Sequence, residues 1–200
     1  LGYPRTNVAL PGLVGGPCLE KDPHILRQSA LTRGIDLEIT ASARLINERQ
    51  PAETVAFIVA EMERRAMPSD AIVVLLGMAF KGVPETDDLR GAMSLKVLQE
   101  LRRRRPLLRL RLFDPVIEPA HLQSVVPDTD VLPTLQDALR DAHVGIIANN
   151  HPKLGRVPPM WLADYMAEGS FIYDYWNHFS DLSTAERGNA YFAVGMIGES

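Results

Sequence analysis

Ala71-Ile72-Val73-Val74-Leu75-Leu76-Gly77 is a short apolar run enclosed by Met67-Pro68-Ser69-Asp70 before it and a glycine at its end. No polar residue interrupts it, so neither face is built to meet water. A strand of this kind belongs inside a sheet that is covered on both sides. Reading onward, Gly91 to Leu101 has the spacing of a helix. Leu107 to Phe113 alternates like a strand and stops at Asp114-Pro115, and Leu135 to Asp141 reads as a helix. Val144 to Ala148 is a second buried strand, Trp161 to Met166 a helix, and Phe171 to Tyr173 and Tyr191 to Val194 are further strands. Strands that alternate with helices predict an α/β fold, a doubly wound parallel sheet with helices on both faces, from about residue 69 to 200.

Reading backward from the same run, the chain predicts helices only. Asp22-Pro23 has the form of a helix start, with Asp22 as N-cap and Pro23 in the first turn. That helix is expected to run to about Thr32 and stop at Gly34. A second is expected from Asp36 to Gln50, ended by Pro51. A third is expected from Ala52 to Arg65, with Val55, Ile58, Val59 and Met62 on one face. Residues 1–22, rich in Gly and Pro, read as loop. The expected organisation is therefore a helical segment over 1–68 followed by an α/β domain over 69–200.

At 200 residues and 46% hydrophobic content, the chain has material for a real core. Its formal charge of -4 gives no reason to expect nucleic acid or an anionic membrane as partner. The dense run Arg102-Arg103-Arg104-Arg105 follows a helix pattern and suits a solvated C-terminal cap, with an anion site as the alternative. One cysteine, Cys18, excludes an internal disulfide and fits a reducing cytoplasm. No long apolar run or signal segment is present, and no metal-ligand spacing stands out.

Two motifs carry chemistry. The first is Gly15-Gly16-Pro17-Cys18-Leu19-Glu20-Lys21-Asp22-Pro23. A glycine-rich loop delivers the lone cysteine just before a helix N-terminus, where N–H groups, the positive dipole end and Lys21 favour a thiolate. Gly15 and Gly16 allow a close backbone approach to a ligand. The residues alone also leave open a buried structural cysteine beside a glycine turn and a proline-started helix. The second motif is Gly77-Met78-Ala79-Phe80-Lys81, followed by Glu85-Thr86-Asp87-Asp88-Leu89-Arg90. Two cations at the carboxyl edge of a strand, ahead of a helix, suit a diphosphate. A surface loop whose Asp87, Asp88 and Arg90 pair locally is the alternative. His151, without a recognisable carboxylate partner, reads as a histidine at the edge of the core.

Together these motifs resemble the UDP-glucose/GDP-mannose dehydrogenase family. The first is similar to that family's Gly-Gly-x-Cys-x-x-Lys/Val-Asp signature, and its Asp-Pro ending looks most like the branch acting on UDP-N-acetylhexosamines. The second is similar to the family's Gly-x-Ala-Phe-Lys and Asp-x-Arg-x-Ser, with Ala92 in place of the Ser. Asp114-Pro115, Asn150-His151 and Asp174-Tyr175-Trp176-Asn177 are weaker matches in the right order, and Trp176 stands where the family has Arg.

The resemblance implies a Rossmann-like domain that binds the UDP part of a UDP-sugar substrate. It also implies an enzyme that oxidises the sugar C6 alcohol twice with NAD, in the manner of an oxidoreductase acting on CH–OH. By the same resemblance Cys18 is the nucleophile, and Asp22 and Lys21 assist it. Gly15, Gly16 and Lys81 would then meet the substrate, and Arg90 would reach the NAD diphosphate. A homodimer through the helical stretch holding Arg44 and Asn47 is implied as well, and a role in polysaccharide biosynthesis. No Gly-x-Gly-x-x-Gly follows a strand, so the main NAD-binding domain is expected to lie outside these residues. Two other readings stand beside this one. One is a non-catalytic module for UDP-sugar binding and dimerisation. The other is an unrelated cysteine hydrolase, which needs a His base near Cys18, and His24 is the nearest in sequence.

Overall fold

The computed structural model describes residues 12–156, 164–180, 182–183 and 190–194. Six strands form one all-parallel sheet in the order β3-β2-β1-β4-β5-β6. They are β1 (Ile72–Leu76), β2 (Arg109–Phe113), β3 (Asp130–Val131), β4 (Val144–Ile147), β5 (Phe171–Asp174) and β6 (Tyr191–Ala193). The sheet grows outward from β1, first to one side and then to the other, so the chain reverses direction between β1 and β4. That is a doubly wound, Rossmann-like sheet, and its switch point is the carboxyl end of the β1/β4 pair. Every residue of β1 and β4 is buried, as the apolar runs predict.

The helices are α1 (Asp22–Leu31), α2 (Glu38–Arg64), α3 (Met93–Arg104), α4 (Pro119–Val125) and α5 (Leu135–Leu139), with a 3₁₀ turn at Leu154–Arg156. One core cluster joins Val73, Leu75, Leu98 and Leu112 with Val55, Ile58 and Met62 of α2. A second, on the other face of the sheet, gathers Val74, Leu76, Leu139 and Ile147. The rear half of α2 is thus part of the cover of the sheet.

Four expectations need correction or completion. α2 is one 27-residue helix with Pro51 inside it, where two helices were expected. A proline in a helix interior costs about 3 kcal/mol in lost hydrogen bonding and crowding. Burial of Pro51 and the following Thr54, Val55, Ile58 and Met62 offsets that cost. Asp22 is not an N-cap. Asp22 N–H already bonds the Cys18 carbonyl at 2.8 Å in the helical i to i−4 manner, so Asp22 lies inside α1 and Lys21 takes the cap position. The expected helix over Trp161 to Met166 lies partly outside the described residues, and its last residues, 164–166, form a turn and a bend. α4 and β3 went unread, the second because two residues carry no period.

The arginine run behaves as a solvated helix end. Arg103 and Arg104 both bond Glu100, Arg102 bonds Thr129, and Arg105 lies 3.5 Å from Glu63. Among the described residues no helix is long and apolar enough to cross a membrane.

Candidate functional site

Several buried polar residues gather at the switch point, Asp114, Asn149, His151 and Asp174 among them. Asp114, just past β2, accepts four backbone N–H bonds. One carboxylate oxygen takes those of Met78 at 2.6 Å and Ala79 at 3.1 Å, and the other takes those of Val116 at 2.8 Å and Ile117 at 3.0 Å. It fixes the start of the loop that carries Lys81. The far end of that loop is held from β4. Asn150 Oδ1 accepts the Gly82 N–H at 2.7 Å, and a Cβ on Gly82 would fall 2.3 Å from the Cα of His151. Only glycine fits there.

His151 is almost fully buried, 1% exposed. Its Nδ1 accepts the Lys153 N–H at 3.1 Å, so the proton sits on Nε2, which donates to Glu85 at 2.9 Å. The sequence reading gave this histidine no carboxylate. The structure supplies one from 66 residues away in the chain, which no local signal reveals. Lys81 itself projects beside Phe80, its Nζ 5.2 Å from the ring centroid.

The Cys18 loop lies against this same edge. Gly16 N–H bonds the Gly91 carbonyl at 3.0 Å. Gly16 has a φ of 105°, and a Cβ there would meet the Phe80 ring at 2.7 Å. A Cβ on Gly15 would meet the Gly91 carbonyl at 2.4 Å. The two glycines therefore seat the loop against the second motif, and the two sequence motifs lie side by side. Lys96 of α3 approaches Glu20 at 3.7 Å from the same side.

Cys18 is exposed. Lys21 and Asp22 form an ion pair at 2.5 Å, which holds the Lys21 ammonium above its ordinary value, chiefly through the hydrogen bond to Asp22. Arg90, 77% exposed, forks onto Asp88, with Nη2 to oxygen at 2.7 Å. That bond raises the arginine further and lowers the Asp88 carboxyl, and Cys18 adds a smaller pull on Arg90. The local pairing of Asp88 with Arg90 is thus present, and it leaves the guanidinium at the surface. Ala92, in the position of the family's Ser, gives α3 no side-chain cap. Ser94 instead donates to the Met78 carbonyl at 2.6 Å.

Trp176 donates its indole N–H to the Ala148 carbonyl at 3.2 Å. Asp174, fully buried, accepts from Trp176 N–H, His178 N–H and the Tyr191 hydroxyl. Asp114, Asn150 and Asp174 thus act on the backbone that shapes the crevice. His24 lies beside Glu48 at 3.6 Å. No cluster of His, Cys, Asp or Glu among the described residues could hold a metal ion.

A parallel sheet of order 3-2-1-4-5-6 with a cation-bearing loop at its switch point defines an α/β domain of the nucleotide-binding class. Within that class, the chain belongs to the UDP-glucose/GDP-mannose dehydrogenase family: the model of the family's UDP binding domain matches residues 74–181. A UDP-N-acetyl-D-mannosamine dehydrogenase from Pyrococcus horikoshii is 33% identical over 159 residues, covering 78% of this chain and 33% of its own length. A UDP-glucose 6-dehydrogenase from Pseudomonas aeruginosa is 38% identical over 102 residues, covering 51% of this chain and 21% of its own length. The solved structure of the UDP-D-ManNAc dehydrogenase of Pyrococcus horikoshii superposes with a TM-score of 0.75 at 29% identity, over 96% of this chain and 41% of that one. The chain therefore spans between about a fifth and two fifths of the length of these relatives.

Proposed function

We propose that this chain is the C-terminal part of an NAD-dependent UDP-sugar 6-dehydrogenase, in which residues 69–200 bind the UDP-sugar and Cys18 is the nucleophile. The observation that carries the reading is the seating of Gly15 and Gly16 on Gly91 and Phe80. It sets the loop that bears the chain's single thiol against Phe80, the residue before Lys81.

In this reading Lys81 meets the diphosphate of the substrate, and the glycines let the backbone lie close to the sugar. Cys18 explains how an alcohol reaches the carboxylate level. An aldehyde resists direct hydride loss. Addition of the Cys18 thiolate to its carbonyl carbon gives a thiohemiacetal, which can lose a hydride and become a thioester. Water then breaks the C–S bond, releasing the uronate and returning the thiol. Asp22, paired with Lys21, would orient or deprotonate that water. NAD, when bound, accepts one hydride in each oxidation. Arg90, exposed at the surface, suits an outlying contact to its diphosphate.

In this reading the protein is cytoplasmic and a homodimer through the helical segment, around Asp36 to Gln50. Ile25, Leu26, Ile39, Leu45 and Ile46 of α1 and α2 are exposed, which supports a covered helical face. A dimer mass by sedimentation at tens of micromolar is expected, and a monomer there counts against it. For the enzymatic reading, a front NAD-binding domain joined to this chain should produce NADH from a UDP-sugar. UDP binding without any NADH would favour the non-catalytic binding module instead. A hydrolase reading finds no support in His24, which turns to Glu48.

A further inference from the structure

We infer that Asn47 and Arg44 of α2 are positioning residues for the Cys18 thiol, clamping its loop on both sides. The inference rests on the reading of Cys18 as nucleophile given above.

The Asn47 carboxamide takes both main-chain polar groups of Val14. Its Oδ1 accepts the Val14 N–H at 3.1 Å, and its Nδ2 donates to the Val14 carbonyl at 2.7 Å. One helical turn earlier, Arg44 Nη1 donates to the Leu19 carbonyl at 3.1 Å. Val14 and Leu19 bracket Cys18. The arginine cannot drift, because Glu48 one turn further on binds its Nη2 and its side chain is only 12% exposed. Hydrogen bonding from Arg44 is also the main reason the Glu48 carboxyl lies below its ordinary value. The opposite side of the loop is pinned by Gly16 on Gly91 and Phe80.

The chemistry of the clamp is specific. A short side chain with one acceptor and one donor is required to pair with both main-chain polar groups of a single residue. Aspartate offers the acceptor alone, and alanine neither. The clamp is also tied to the fold. Residues 44 and 47 stand on the helix stripe that continues through Pro51, Thr54, Val55, Ile58 and Met62 into the core. No break separates them, since α2 runs unbroken through Pro51. The thiol is thus referenced by one rigid helix to the sheet whose edge carries Lys81.

Cys18 is the only thiol, so alkylation reports on it without ambiguity. Two reagents separate position from reactivity: iodoacetamide, and a UDP-glucose analogue bearing a bromoacetamido group at sugar C6. In both cases the sulfur forms a C–S bond as halide leaves and the thiol proton passes to buffer. Wild-type chain should show saturable labelling by the UDP reagent. Asn47→Ala should keep the half-saturating concentration and the iodoacetamide rate, but lower the maximal labelling rate by about tenfold or more, as expected for a displaced reacting atom. Asn47→Asp, which keeps one bond, should fall between, and Arg44→Met should move in the same direction as Asn47→Ala. A maximal rate equal to wild type in Asn47→Ala overturns the inference. So does a parallel loss of half-saturation and melting temperature, because the residue is then a general support. If wild type itself shows no saturation, the reading of Cys18 beside a UDP site falls, and the inference with it.

Discussion

Gly16 lies with its backbone against the ring of Phe80, so close that a Cβ on Gly16 would be 2.7 Å from a ring carbon. This contact joins a loop read as nucleophilic to a loop read as substrate-binding, 64 residues apart in number. Gly16→Ala must move the ring and also hold a φ of 105°, which side chains rarely adopt. The substitution should destabilise the chain by about 1–3 kcal/mol, the range for a strained backbone position. Urea unfolding measures it, and a change within error would show that the loop is not seated as described.

Lys81 stands at the carboxyl edge of β1 on a loop fixed by Asp114, Asn150 and the His151–Glu85 pair. If it meets a diphosphate, Lys81→Ala should weaken UDP binding by about 1–3 kcal/mol, the range for a charged hydrogen bond. Titration calorimetry on the 200-residue chain is the measurement. Equal affinities in the two proteins would remove Lys81 from the site.

Glu100 receives Arg103 and Arg104 from the next turn of α3, and these bonds pull its carboxyl from 4.5 down to about 2. Because the folded value is the lower one, the contribution to stability is complete above the unfolded value near 4.5. It fades as pH falls from there towards 2. Glu100→Gln should therefore lower stability at neutral pH by about 0.5–1 kcal/mol, within the range for exposed ion pairs. The gap to wild type should close as unfolding is measured at successively lower pH. A gap that stays constant down to pH 2 would mean that the ion pairs are not its source.

The parts of this fold that are legible in the sequence are those whose side chains report burial directly. Ile72 to Leu76 and Val144 to Ile147 have no polar face, so they can only be interior strands. Asp130–Val131 is a strand only because Arg111 and Leu112 pair with it, and nothing in two residues announces that. Pro51 misleads because local stiffness argues for a break, while the burial that outweighs it depends on a sheet not yet assembled. The site divides in the same way. Cys18, Lys81 and Arg90 were visible as chemistry beside glycines. Glu85, Asn150 and Asn47 stand in quoted stretches, but their partners were not legible, since each acts on backbone or side chain 33 to 68 residues away.

The proposed role of Cys18 makes the sharpest demand. The thiol is exposed, and the loop around it is pinned at Val14, Gly16 and Leu19, so the side chain is presented rather than packed. A structural cysteine would tolerate serine with a small change in stability and none in chemistry. A nucleophile would not: a serine alkoxide forms less readily than a thiolate, and an ester is harder to hydrolyse than a thioester. In a protein that joins this chain to an NAD-binding domain, Cys18→Ser should therefore leave UDP-sugar affinity intact, because the bond to sulfur exists only in the covalent steps. The second oxidation should fall by orders of magnitude, and product analysis should find no uronate beyond trace. Uronate formed by Cys18→Ser at near the wild-type rate would refute the nucleophile and return the loop to a structural role.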